Sequence, residues 1–179
     1  MSKIQVLDRT FEVYLDTETI QSRVREMARQ ISTDYAGTRP LFLSILNGSF
    51  LFTADLIRSL TIDPEISFIK LASYQGMRST GSITTAIGLE TDVTGRDVIL
   101  LEDIVDTGNT LSRFIPHLLQ QQPRSVRVAT LLHKAEATQH PLALDYVGFV
   151  IPNKFVVGYG LDYDGWGRQY DAIYQLAAD

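Results

Sequence analysis

Apolar and polar positions divide the chain into elements of two periods. Residues 4–15 alternate in part between apolar and charged side chains, which predicts a strand or hairpin. Ile20, Val24, Met27, Ala28, Ile31 and Tyr35 then recur at three- and four-residue steps, one apolar stripe on a helix that Asp16 or Thr17 can cap. Arg23, Arg25, Glu26 and Arg29 make its solvated face. Gly37 is the expected stop, and Pro40 opens Leu-Phe-Leu-Ser-Ile-Leu at 41–46, an aliphatic run that predicts a buried strand. A second helix follows Asn47-Gly48-Ser49, with Phe50, Leu51, Leu56, Ile57 and Leu60 apolar. Residues 66–72 read as another strand. Residues 73–85 are polar, glycine-containing and aperiodic, a length typical of lids. Ile87 to Glu90 reads as a returning strand. Further on, 98–101 and 126–132 are aliphatic strands, separated by a helix carrying Leu111, Phe114, Ile115 and Leu118. This alternation from Pro40 to about Lys134 predicts an α/β fold, a mostly parallel twisted sheet flanked by helices.

Three strand ends carry chemistry. Val98 to Leu101 runs into Glu102 and Asp103, and after Ile104-Val105 come Asp106, Thr107, Gly108, Asn109 and Thr110. Small and hydroxyl-bearing residues between a strand and a helix leave backbone N–H groups and a positive helix end free for an anion. Gly108 permits close backbone approach. The two carboxylates suit ribose hydroxyls or a hydrated divalent metal. The segment thus suggests a sugar phosphate with a metal nearby; the bland alternative is a polar βα loop with an N-cap. It is no Walker A loop, since it lacks the Gly-Lys-Ser/Thr ending. Asn47-Gly48-Ser49 is a second anion site of the same kind, although Asn-Gly also suits any turn. Lys134 ends the strand over 126–132, where open α/β sheets bind ligands, and can donate to an acceptor such as a purine O6; a solvated strand-end lysine is the alternative. His117, His133 and His140 show no metal-ligand spacing.

Composition narrows the field. At 179 residues the chain is one domain in length, able to bury roughly 70% of its unfolded surface. A net charge of -5, with no block of like charges, argues against nucleic-acid partners. The absence of cysteine excludes thiolate chemistry and disulfides. No apolar run approaches 18 residues and no basic-then-apolar leader is seen, so a soluble cytoplasmic protein without membrane partners is expected.

The 98–111 stretch resembles the phosphoribosyl-pyrophosphate signature of type I phosphoribosyltransferases. Residues 147–163, Val-Gly-Phe-Val-Ile-Pro-Asn-Lys-Phe-Val-Val-Gly-Tyr-Gly-Leu-Asp-Tyr, resemble the hood segment of the family's hypoxanthine-guanine members. The resemblance implies a single domain with a core at about 38–143 and a small hood formed by N- and C-terminal segments, about 1–37 and 144–179. It implies that residues 106–110 bind the 5′-phosphate, that Glu102 and Asp103 serve the ribose and Mg2+, and that Asp106 exchanges a proton with the purine. Leu46, Asn47 and Gly48 would bind pyrophosphate through main-chain amides, with a non-proline cis peptide expected at Leu46-Asn47. Relatives often carry Lys at the Asn47 position and Asp at the Asn153 position. Ser73 and Tyr74 match a mobile catalytic loop that excludes water. Phe155 would stack on the purine, the Val156 main chain would read its edge, Asp162 would help bind a second magnesium, and Arg168 would hold pyrophosphate.

The implied activity is purine salvage: transfer of the 5-phosphoribosyl group from phosphoribosyl pyrophosphate to N9 of a 6-oxopurine, hypoxanthine or guanine, by a homodimer or homotetramer. Three other readings stand beside it: a xanthine-preferring relative, a non-catalytic phosphoribosyl-pyrophosphate sensor, and a structural α/β protein. The Ser73-Tyr74 loop, Asp106 and Arg168 favour catalysis over sensing.

Overall fold

The computed structural model describes residues 3–71, 85–86 and 89–177. Ser73, Tyr74 and nearly all of the aperiodic 73–85 stretch lie outside the described residues. The chain opens on a hairpin, β1 (Lys3–Val6) and β2 (Arg9–Leu15), with Ile4 opposite Phe11 and Leu7 left-handed at φ 52 in the turn. Asp16 then accepts from the Thr19 N–H at 2.8 Å, capping α1 (Thr17–Asp34). All six residues of the expected α1 stripe are buried.

The aliphatic run at 41–46 forms β3 (Leu41–Leu46), followed by α2 (Phe50–Ser59) and β4 (Glu65–Leu71). The buried face of α2 is Phe52, Thr53 and Leu56, whereas Phe50, expected inside, is exposed. On that face the Thr53 hydroxyl pairs with the buried Ser44 hydroxyl of β3 at 2.7 Å, beside the buried Phe52 and Leu56. The returning strand is β5 (Thr85–Ala86), antiparallel to β4. Leu89 and Glu90, expected within it, form a turn, and Ile87 lies outside the described residues. The rest is β6 (Asp97–Val105), α3 (Asn109–Leu119), β7 (Ser125–His133), a 3-10 turn at Ala135–Ala137, β8 (Tyr146–Val150), β9 (Val156–Val157) and β10 (Ile173–Leu176).

The main sheet has the order β5-β4-β3-β6-β7-β8, parallel from β4 through β8. From β3 the chain moves outward through α2 to β4, then crosses to the other side of β3 with β6. That reversal opens a crevice at the carboxyl ends of β3 and β6, where sheets of this kind bind ligands. Both faces are covered, which is why the central strands lack polar alternation. Ile99 and Leu101 of β6 join the cluster under α1 and α2, while Val98 and Leu100 join the one under α3.

A second sheet, β1-β2-β10-β9, is antiparallel and has its own small core of Val6, Phe11, Val157, Ala172 and Tyr174. This is the hood, and it draws on both ends of the chain. Two segments of the expected hood pack elsewhere. α1 belongs to the large core cluster because its whole stripe is buried against the main sheet. β8, past residue 144, pairs with β7, and Arg23 of α1 donates to its Val147 and Gly148 carbonyls at 2.7 and 2.9 Å. Among the described residues no helix is long and apolar enough to cross a membrane.

Candidate active site

Glu102, Asp103, Asp106, Thr107, Gly108, Asn109, Thr110 and Leu46 line one cavity of about 280 Å³ in this crevice. Gly108 is the N-cap of α3 at φ 78, and a Cβ there would fall 2.5 Å from the His140 carbonyl oxygen, so glycine is demanded by both conformation and space. His140 and Gln139 donate their backbone N–H groups to the Thr107 carbonyl at 3.0 Å, fixing the loop from below. Asn109 and Thr110 are exposed in the first turn of α3, where the helix dipole favours an anion, and the Asn109 N–H donates to Thr107 Oγ1 at 3.3 Å.

Glu102 and Asp103 sit where β6 changes face. Beyond them the alternation inverts, with Ile104 packing toward the α1 cluster and Val105 toward the α3 cluster. Burial raises the Glu102 carboxyl well above the usual carboxylate range, and the neighbouring Asp103 charge raises it further. Burial also raises Asp103, although the Ile104 N–H, which donates to it at 2.8 Å, and the Arg168 charge pull the other way. The pair supplies the hard oxygen donors that magnesium prefers, in a place where a cation would relieve the cost of ionising both. Among the described residues no group of three or more carboxylate or histidine side chains is close enough to hold a metal alone, so substrate oxygens or water would complete its shell.

Leu46-Asn47 is a cis peptide, as the resemblance implied. Buried hydroxyls tie this loop to the core, for Ser49 Oγ donates to the Ile45 carbonyl at 2.5 Å and pairs with Ser44 Oγ at 2.7 Å. Ser44, a lone serine inside an aliphatic strand, is the sign in the sequence of this buried hydroxyl network. A Cβ on Gly48 would lie 1.4 Å from Asp103 Oδ2, and one on Gly160 would lie 2.0 Å from the Gly48 carbonyl oxygen. The loop is therefore pressed between the Asp103 carboxylate and the hood. Arg168 completes this side, donating to the Gly160 carbonyl at 2.7 Å and pairing with Asp162 at 2.8 Å. Asp162 also accepts the Gly165 N–H at 2.6 Å, so its oxygens are engaged within the hood rather than beside Glu102 and Asp103.

On the opposite side Lys134, 7% exposed, places Nζ 3.0 Å from Asp106 Oδ2. The pair arises from neighbouring parallel strands ending in opposite charges. Thr138 Oγ1 lies 3.3 Å from the Asp106 carbonyl and 3.2 Å from that of Lys134, a second hydroxyl with no sign in the sequence pattern. Phe155 and Val156 belong to the hood. Phe155 is half exposed, with its ring 5.7 Å from that of Tyr163 and 6.1 Å from that of Phe11, while Val156 is buried in β9. The arrangement offers an anion loop, a carboxylate pair, an arginine with a main-chain loop, and an exposed aromatic face.

A family model described as the phosphoribosyl transferase domain matches residues 11–164. The hypoxanthine-guanine phosphoribosyltransferase of Mycobacterium tuberculosis is 42% identical over 159 residues, 85% of this chain and 79% of that protein. That of Aquifex aeolicus is 34% identical over 174 residues, 96% of this chain and 98% of that one. A crystal structure of a hypoxanthine-guanine phosphoribosyltransferase from Bacillus anthracis superposes with a TM-score of 0.87 at 36% identity, covering 93% of this chain and 98% of that one.

The Glu102 shift has a measurable sign. A carboxyl raised by folding contributes stability below its unfolded value and loses it as pH rises through the folded value. The magnesium-free protein therefore loses stability as pH rises above the ordinary carboxylate range. Glu102→Gln should raise its Tm at pH 7–8, by about 2–4 °C per kcal/mol relieved, and the gap should close as pH falls toward 4. An equal or lower Tm for the variant at neutral pH, by scanning calorimetry, would count against this reading.

Proposed function

The chain belongs to the phosphoribosyl transferase family, and from that premise we propose that it is a purine-salvage enzyme. It transfers the 5-phosphoribosyl group from phosphoribosyl pyrophosphate to N9 of hypoxanthine or guanine, giving IMP or GMP and pyrophosphate. One observation carries the reading. One cavity is lined both by the Glu102 and Asp103 carboxylates and by the 106–110 loop, whose Asp106 carries the ion pair with Lys134.

The 5′-phosphate takes the backbone N–H groups and hydroxyls of residues 106–110, and the ribose hydroxyls face Glu102 and Asp103. Magnesium fits this carboxylate pair and would supply charge neutralisation to the leaving pyrophosphate. Asp162 would join a second ion only on giving up Arg168 or Gly165. The Leu46, Asn47 and Gly48 main chain and Arg168 receive the pyrophosphate, whose oxygens suit main-chain N–H donors and the planar guanidinium fork. The purine lies against Phe155, with its edge at the Val156 main chain and its O6 at Lys134. Purine N9 forms a bond to ribose C1 as the C1–O bond to pyrophosphate breaks, and the purine proton leaves through N7 to Asp106. Adenine presents an amino group where Lys134 needs an acceptor, and is disfavoured. Ser73 and Tyr74 are proposed to shield the centre from water. The setting we propose is a cytoplasmic homodimer or homotetramer; exposed Ile66 and Phe68 on β4 support burial of an apolar face.

Spectrophotometric turnover of each purine base with phosphoribosyl pyrophosphate and magnesium tests the activity, and a rate with none of hypoxanthine, guanine or xanthine overturns it. Asp106→Asn should retain substrate binding and lose ~10²-fold or more in kcat, the usual scale for a general acid–base group; wild-type turnover would exclude Asp106 from the proton transfer. Lys134→Gln should narrow the preference for hypoxanthine over adenine, and an unchanged ratio of kcat/KM would remove Lys134 from base recognition.

A further inference from the structure

Asp55 lies on α2, the helix that begins just after the Leu46, Asn47 and Gly48 loop. Its side chain is 12% exposed and takes donors from three segments. Tyr159 of the hood donates its hydroxyl to Oδ2 at 2.6 Å, Gln21 of α1 donates to the same oxygen, and Arg58 of α2 to Oδ1. Burial pushes the Asp55 carboxyl up, but these three donors outweigh it and hold the group below the usual range. Such a convergence of donors on one buried carboxylate, outside the reacting centre, needs a reason.

Tyr159 supplies it. The residue is 2% exposed and holds a left-handed backbone at φ 50, a region that bulky side chains rarely adopt. Its N–H donates to the Tyr170 carbonyl at 2.8 Å. The next residue, Gly160, is the one whose α-carbon closes on the Gly48 carbonyl and whose own carbonyl receives Arg168. The tyrosine hydroxyl anchors the side chain at one end of a turn whose other end faces pyrophosphate.

We propose that Asp55 is a positioning residue that, through Tyr159, holds Gly160 and Arg168 against the Gly48 loop and so sets the geometry of the pyrophosphate half of the site. The proposal rests on the function assigned above. α2 fixes both sides of that half: its N-terminal end continues from the loop, and Asp55, farther along it, secures the hood turn. The purine half is built separately, with Lys134 held by Asp106 and Phe155 by Phe11 and Tyr163.

Steady-state kinetics of Tyr159→Phe, Asp55→Asn and the double variant test the idea. Tyr159→Phe removes one oxygen and keeps the buried ring. Each single variant should raise KM for phosphoribosyl pyrophosphate about tenfold, the scale of a lost hydrogen bond to a charged group, with KM for hypoxanthine within about twofold. The double variant should be no worse than the poorer single one. Proportional changes in both KM values, no change, or multiplied effects in the double variant would overturn it. Should Asp55→Asn fail to fold, the Tyr159→Phe KM ratio decides alone. The wild-type rate tests the activity separately. Phosphoribosyl pyrophosphate binding followed by thermal shift gives the same comparison without turnover, and a wild type that binds none sinks both.

Discussion

Gly48 stands where two separately built parts of the protein meet. On one side the Asp103 carboxylate occupies the space a side chain would need, and on the other the Gly160 backbone closes on its carbonyl oxygen. Neither contact leaves room for a side chain on either glycine, so main sheet and hood approach here as closely as their atoms allow, and the Tyr159–Asp55 hydrogen bond joins the same two parts nearby. The other site features inherit that distance. Arg168 reaches Gly160 and Asp162 from within the hood, and the Asp103 carboxylate comes under its field because the loop between them is one glycine thick.

The charges around this contact are organised unevenly. Lys134 with Asp106 and Arg168 with Asp162 are internal pairs, each close to 3 Å. Glu102 and Asp103 have no such cationic partner at bonding distance among the described residues and are both driven upward by burial. Pairing keeps the cationic side chains ordered and near the crevice without exposing it to one sign of charge. The unrelieved carboxylate pair is the costly part, and cost of that sort is retained where a ligand removes it.

Much of the scaffold was legible from the sequence because of how it is buried. Strands covered on both faces need continuous aliphatic runs, so β3 and β6 announce themselves, and the three- and four-residue steps of α1 leave no competing period. The 106–110 loop was legible because a left-handed N-cap against a carbonyl requires glycine. What escaped was decided by partners distant in sequence. α2 buries Thr53, paired with Ser44, beside Phe52 and Leu56, and leaves Phe50 exposed. β8, short and interrupted by Gly148, joins the main sheet because β7 and Arg23 receive it. The pairing of Lys134 with Asp106, and of Asp162 with Arg168, depends on strand order and turn geometry that no local pattern encodes.

Arg23 has one more effect. Successive carbonyls of a strand point to opposite sides, so of the two β8 acceptors that it holds, one faces away from β7. An open sheet margin with free acceptors is a template on which another chain can add a strand. Arg23 of α1 occupies part of that margin with its guanidinium fork. An extended peptide adding a strand at β8 would have to displace that guanidinium first.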